Sequence, residues 1–182
     1  MSKPTYLPLL NSIAVNECKG EALLSAWADA TPDAELEAVL RFVAIREGEH
    51  AAAFTKRMCE LGHAVCEEEA YQVFKDFDSL LAYVGSNASD VEKVARFRGN
   101  DDDDPGKDPF RGFFNDTTID PETGALLGRY IAEERDSGRR LQAQYDRICG
   151  AASGDPEIAE LKAKIEALSA QIAELKSIRH VA

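Results

Sequence analysis

Apolar positions recur every three or four residues over several long stretches of this chain, the period of amphipathic α-helices rather than strands. The first stretch runs from about Leu10 to Ala30, where Leu10, Ile13, Glu17, Gly20, Leu24 and Trp27 share one face. Thr31-Pro32-Asp33 ends it, because proline pushes the preceding residue out of helical conformation. A second helix is expected from Pro32 or Asp33 to Leu61, with Gly62 as its C-terminal stop. Its inner stripe reads Leu36, Leu40, Val43, Glu47, His50, Phe54 and Leu61. A third helix is expected over Glu67 to Val84, with Ala70, Phe74, Phe77, Leu81 and Val84 inward, followed by a short helical piece around Asp90 to Phe97. From Arg98 to Gly124, the acidic run Asp101 to Asp104 and the Pro and Gly turns mark a long polar loop. Phe110, Phe113 and Phe114 are too apolar for a free linker, so this loop is expected to pack back on the helices. The fourth long helix should span about Pro121 to Ile148, with Leu127, Tyr130, Glu134, Ser137, Leu141, Tyr145 and Ile148 inward.

Three regions follow: a helical bundle over residues 1–149, a linker at 150–156, and a C-terminal helix at 157–179. In the last, Ile158, Leu161, Ile165, Leu168, Ile172 and Leu175 make a heptad seam with isoleucine at a and leucine at d, which favours a two-stranded parallel coiled coil. So short a coil is marginal alone in water. Two readings stay open: homo-oligomerisation through this helix, or folding back onto its own bundle.

Composition narrows the partners. The 182 residues carry a formal net charge of −12, which disfavours nucleic acid and anionic membrane surfaces. No apolar run approaches the ~18 residues of a membrane span. The first ten residues lack the basic region and apolar core of a secretory signal, so a cytoplasmic location is expected. Cys18, Cys59, Cys66 and Cys149 form no C-x-x-C pair and are read as reduced thiols acting as small buried hydrophobes.

The candidate chemistry lies in polar residues that interrupt apolar stripes. Glu17 stands mid-stripe in the first helix, Glu47 and His50 in the second, and Glu134 in the fourth. An unpaired carboxylate inside a bundle costs several kcal/mol or takes up a proton. Carboxylates and an imidazole drawn from three helices can instead share a cation. The i, i+3 spacing of Glu47 and His50 sets both on one face. Oxygen and nitrogen donors of this kind suit iron or manganese, with zinc also compatible. The bland reading is a hydrogen-bonded Glu47–His50 pair, with Glu17 and Glu134 reaching solvent or an arginine such as Arg46 or Arg135. Asp101 to Gly106 has the look of a calcium loop, but Gly112 stands where a bidentate Glu belongs, and a solvated acidic loop is expected. Tyr130 and Tyr145 read as core residues.

The stretch from Val43 through Glu47-Gly-Glu-His50 and Phe54 to Glu60-Leu-Gly62 resembles the second helix of rubrerythrin and ferritin-like proteins. The resemblance implies an all-α, ferritin-like antiparallel four-helix bundle, here with a long loop before the fourth helix and an added C-terminal coiled-coil helix. It further implies Glu17, Glu47, His50 and Glu134 as metal ligands, iron or manganese as the metal, and reaction with oxygen or peroxide using an external electron donor. Ser137 stands where that family carries its second histidine, and the third helix offers no carboxylate on its apolar stripe. Asp76, Asp78 or Glu92 would have to supply one. The alternative function is a non-catalytic ferritin-like scaffold with a degenerate metal site, acting through helical oligomerisation or partner binding.

Overall fold

The computed structural model describes residues 4–74, 76–98, 110 and 112–152. These form an all-α structure of five helices: α1 (Leu7–Ala30), α2 (Ala34–Glu60), α3 (Phe77–Val84), α4 (Asp90–Arg98) and α5 (Pro121–Ala152), with a 3-10 turn at Glu67–Glu69. No strand occurs among the described residues. None of the helices is long and apolar enough to cross a membrane. By contact the chain divides after Gln144 into two units. Of the second, only the end of α5 is described, and the heptad helix expected at 157–179 lies outside the described residues, as does the acidic run at 101–104.

The first two helices form a hairpin whose signals are local. Asp33 caps α2 by accepting from the Leu36 amide at 2.9 Å, and its own amide donates to Thr31 Oγ1. At the other end Gly62 adopts φ +80°, a conformation that side chains with a Cβ resist. There the His63 amide reaches the Met58 carbonyl and the Gly62 amide the Cys59 carbonyl, a Schellman closure. The pairs Glu17–His50 and Asp29–Arg41 run in opposite order along the two helices, so the hairpin is antiparallel. Arg46 reaches Asp136 while Arg57 reaches Thr123, so α5 lies antiparallel to α2. Leu7, Leu10, Ile13, Phe54, Met58, Leu127 and Tyr130 fill the core these helices share. Phe110 and Phe113 pack against it, as expected of that loop, whereas Phe114 is exposed.

The third expected helix is mostly not helical. Only Phe77–Val84 forms one; Glu67–Glu69 is a 3-10 turn, and the chain from 70 to 74 makes no helix. Polar side chains of α1 replace the helical hydrogen bonds. Asn11 exchanges two 2.8 Å bonds with the Cys66 backbone, and Asn16 donates to the Tyr71 carbonyl while accepting from the Val73 amide. Ser12 Oγ accepts from the Tyr71 amide. A backbone satisfied in this way has no need of a helical ladder. The cysteines are free thiols, but none is buried: Cys18 and Cys59 are exposed, Cys66 and Cys149 half-buried. Cys18 and Cys59 lie off the stripes that face the core.

Candidate metal centre

Three of the four expected ligands converge. Glu17 from α1, His50 from α2 and Glu134 from α5 each offer a donor atom, and these atoms lie within 4.8 Å of one another. His50 is the hub, buried at 4% exposure. Its Nδ1 lies 3.1 Å from Glu17 Oε2 and 3.3 Å from Glu134 Oε1. One ring nitrogen carries at most one proton, so it cannot satisfy both oxygens. Glu134 Oε1 is the one left over: buried, with no hydrogen-bond partner. Orphaned buried carboxylate oxygens are rare and call for a cation or a proton.

Glu47, the fourth expected ligand, stands beside this group. Its carboxyl occupies space that exists because residue 20 is glycine; a Cβ there would collide with Glu47 Oε2. Burial, the charges of Glu17 and Glu134 and a hydrogen bond with Glu17 push it up to about 10, so it is held as the neutral acid. Glu17 is itself raised, by burial and by Glu134, against the lowering effect of its bonds with His50 and Tyr130. For His50, burial pulls downward, but the carboxylates of Glu134, Glu17 and Glu133 outweigh it and hold the imidazole up at about 10. Without a metal the cluster therefore stores protons, and a divalent ion would displace them.

Two members escaped the sequence reading. Glu133 adjoins Glu134 but lies off the apolar stripe, and its Oε2 sits 2.8 Å from His50 Nε2. It also accepts from Arg129 at 2.9 Å, and these bonds overcome burial to keep it ionised. The acidic pair Glu133-Glu134 one turn after Tyr130 was the available signal. Tyr130 lies in the core, as its place on the stripe predicts, and its hydroxyl also donates to Glu17 Oε1 at 2.8 Å. The rings of His50, Phe54, Phe110 and Phe113 surround it at centroid distances of 5.0 to 6.3 Å. Burial and the neighbouring carboxylates raise its phenol well above the usual range.

Arg46, one of the two arginines the alternative reading named, is engaged elsewhere. Arg46 Nη1 donates to the Glu133 carbonyl, Asp136 Oδ2 and Ser137 Oγ instead. Ser137 is buried on that contact. The third-helix candidates also stay away. Asp76 and Asp78 are exposed, and Glu92 forms a capping box with Ser89 at the start of α4.

No protein family, curated protein or solved structure was found to match this chain. The donor set must be read from its own residues. With two carboxylates and an imidazole that would give up its proton to a metal, it fits one divalent transition-metal ion.

The stored protons give a test of the geometry. Glu47 keeps its proton up to about pH 10 when folded, against 4.5 ordinarily, so folding takes up a proton and stability falls as pH rises between those values. His50 acts with the same sign: its contribution is complete below the ordinary 6.5 and is lost as pH rises through about 10. Glu47→Gln preserves shape and removes the first titration. In chelator-treated protein, the urea midpoint of this variant should fall less than the wild type's between about pH 6 and about pH 9. Equal falls would show that Glu47 is not the group holding the proton.

Proposed function

We propose that this chain is a ferritin-like metal-binding protein that holds one iron or manganese ion between Glu17, His50 and Glu134 and reacts with oxygen or peroxide. The observation that carries the reading is Glu134 Oε1, buried without a partner 3.3 Å from the imidazole nitrogen that Glu17 also approaches. The Glu47-x-x-His50 spacing, with glutamates on two further helices, supplies the resemblance to ferritin-like proteins.

The surrounding residues have separable roles. Glu133 Oε2, 2.8 Å from His50 Nε2, would keep accepting the Nε2–H once a metal displaced the Nδ1 proton, leaving the Nδ1 lone pair free as a metal ligand needs. The Tyr130 hydroxyl fixes the rotation of the Glu17 carboxylate. The aromatic rings around Tyr130 exclude water from that side. A bound iron or manganese ion would supply the redox chemistry toward oxygen or peroxide. Turnover would draw on an external electron donor.

Elemental analysis of protein purified without chelator, and of protein loaded anaerobically with Fe(II) or Mn(II), tests this. About one equivalent of metal per chain is expected, since among the described residues three donors converge. Oxygen or peroxide consumption by the loaded protein should follow. No stoichiometric metal under either condition would overturn the proposal.

A second reading has one observation in its favour. Ser137, in the place of a second histidine, is occupied by the Arg46 guanidinium, as a scaffold with a degenerate site would show. Under that reading His50→Ala leaves function intact, whereas Leu168→Asp in the heptad seam abolishes self-association and function together.

A further inference from the structure

A second stripe of the α1–α2 hairpin, distinct from the one carrying His50, lines an apolar cavity of about 850 Å3. Ala14 and Ala22 of α1 and Ala51 and Ala52 of α2 give it small side chains on both sides, so a bound molecule can lie close to both helices. Phe77, at the start of α3, adds an aromatic wall. Its size falls within the range of small-molecule sites, about 300–1,000 Å3. Alanine methyls offer burial but no hydrogen bonds, so the body of a fitting ligand is hydrocarbon.

The rim decides the head group. Two lysines, Lys19 and Lys56, and one glutamate, Glu67, border the cavity. Lys19 is committed, with Nζ 2.8 Å from Glu67 and 2.6 Å from Gln72 and lying over the Phe77 ring. Lys56 is exposed and pairs with Glu60 one turn on, a surface contact that exchanges at little cost. In a chain of net charge −12, an anionic ligand is favoured only where such cations stand.

We propose that this groove binds a long-chain carboxylate, with its hydrocarbon tail along the alanine side chains and its head group on Lys56. The inference is independent of the metal site. Titration of the full chain with dansyl-labelled undecanoate, read by fluorescence, should show saturable binding of one molecule per chain that dodecanoate displaces. Ala51→Phe, which fills the groove, should weaken binding by about tenfold or more. Lys56→Glu should weaken dodecanoate several-fold while leaving displacement by dodecanol unchanged. His50→Ala should leave all of these values as they were. Circular dichroism checks that Ala51→Phe folds; the exposed Lys56 position keeps the test valid if it does not. Absence of saturable binding, or binding that neither groove variant alters, would overturn the proposal. So would a dimer in sedimentation that Ala51→Phe dissociates and that takes up no dansyl-undecanoate, since the groove would then be covered by a second copy.

Discussion

Replacing His50 by alanine should weaken iron and manganese retention by more than about a hundredfold, judging from the 10- to 100-fold losses typical of residues that merely support a ligand. The imidazole supplies the one nitrogen donor and lies between both carboxylates, at 3.1 and 3.3 Å from their oxygens. Its loss leaves Glu17 and Glu134 facing one another with no positive partner between them, so whatever ion entered would be held by oxygen alone. Competition against a chromophoric chelator under anaerobic conditions measures the effect. Glu133→Gln provides the graded control. It keeps a hydrogen-bond acceptor near Nε2 but removes the charge, and a loss of about 10- to 100-fold is expected. Should His50→Ala hold metal as tightly as the wild type, the three-helix cluster is not the binding site.

Asp120→Ala should destabilise the fold by about 2–3 kcal/mol, from a lost helix cap and three side-chain donors that lose this acceptor, less what water restores. Asp120 sits at the head of α5. Its Oδ1 accepts from the Glu122 and Thr123 amides and from Arg57 Nη2 at 2.8 Å; its Oδ2 accepts from Tyr6 and Thr123 hydroxyls at 2.7 Å each. One carboxylate thereby ties the start of α1, the end of α2 and the start of α5. About a third of the side chain is exposed, so water compensates part of the loss, which holds the figure below that of a fully buried ionic network. Burial opposes ionisation here, but those hydrogen bonds prevail and hold the group well below the usual carboxylate range. A depressed folded value means the contribution is complete above about pH 4 and lost as pH falls through the folded value. Urea unfolding should therefore show the wild type and Asp120→Ala converging toward acid pH. A constant gap between them from neutral to acid pH would exclude this carboxylate as the origin of the difference.

The helical hairpin was legible because its signals are short-range. Apolar spacing set the faces of α1 and α2, Asp33 capped one end, and Gly62 turned the other. The site was legible for a related reason. Glutamates and a histidine on apolar stripes are costly unless paired, and three of the four so identified do meet. What escaped was whatever depends on a neighbour. Glu133 reads as a surface glutamate until His50 comes within 2.8 Å of it. Asn11, Ser12 and Asn16 stand off the apolar stripe of α1 and acquire a role only because the chain from 66 to 73 uses them as backbone partners. The stretch after Glu67 has a helical apolar period, yet those side-chain bonds offered its backbone an alternative, and tertiary contact overrode periodicity.

The sequence by itself determined that this chain builds long amphipathic helices, where the hairpin turns, and which carboxylates and imidazole would be costly if buried alone. These follow from periods and caps within a few residues, whose physics is complete without the rest of the chain. Only the tertiary structure decided that Glu47 would sit in the notch beside Gly20 while Glu17, His50 and Glu134 close on one point, and that Arg46 would turn to Ser137. Those outcomes depend on the axial offset and rotation of helices far apart in the chain. A side chain's partner is fixed there by which helix arrives opposite it, and spacing along one helix carries no record of that.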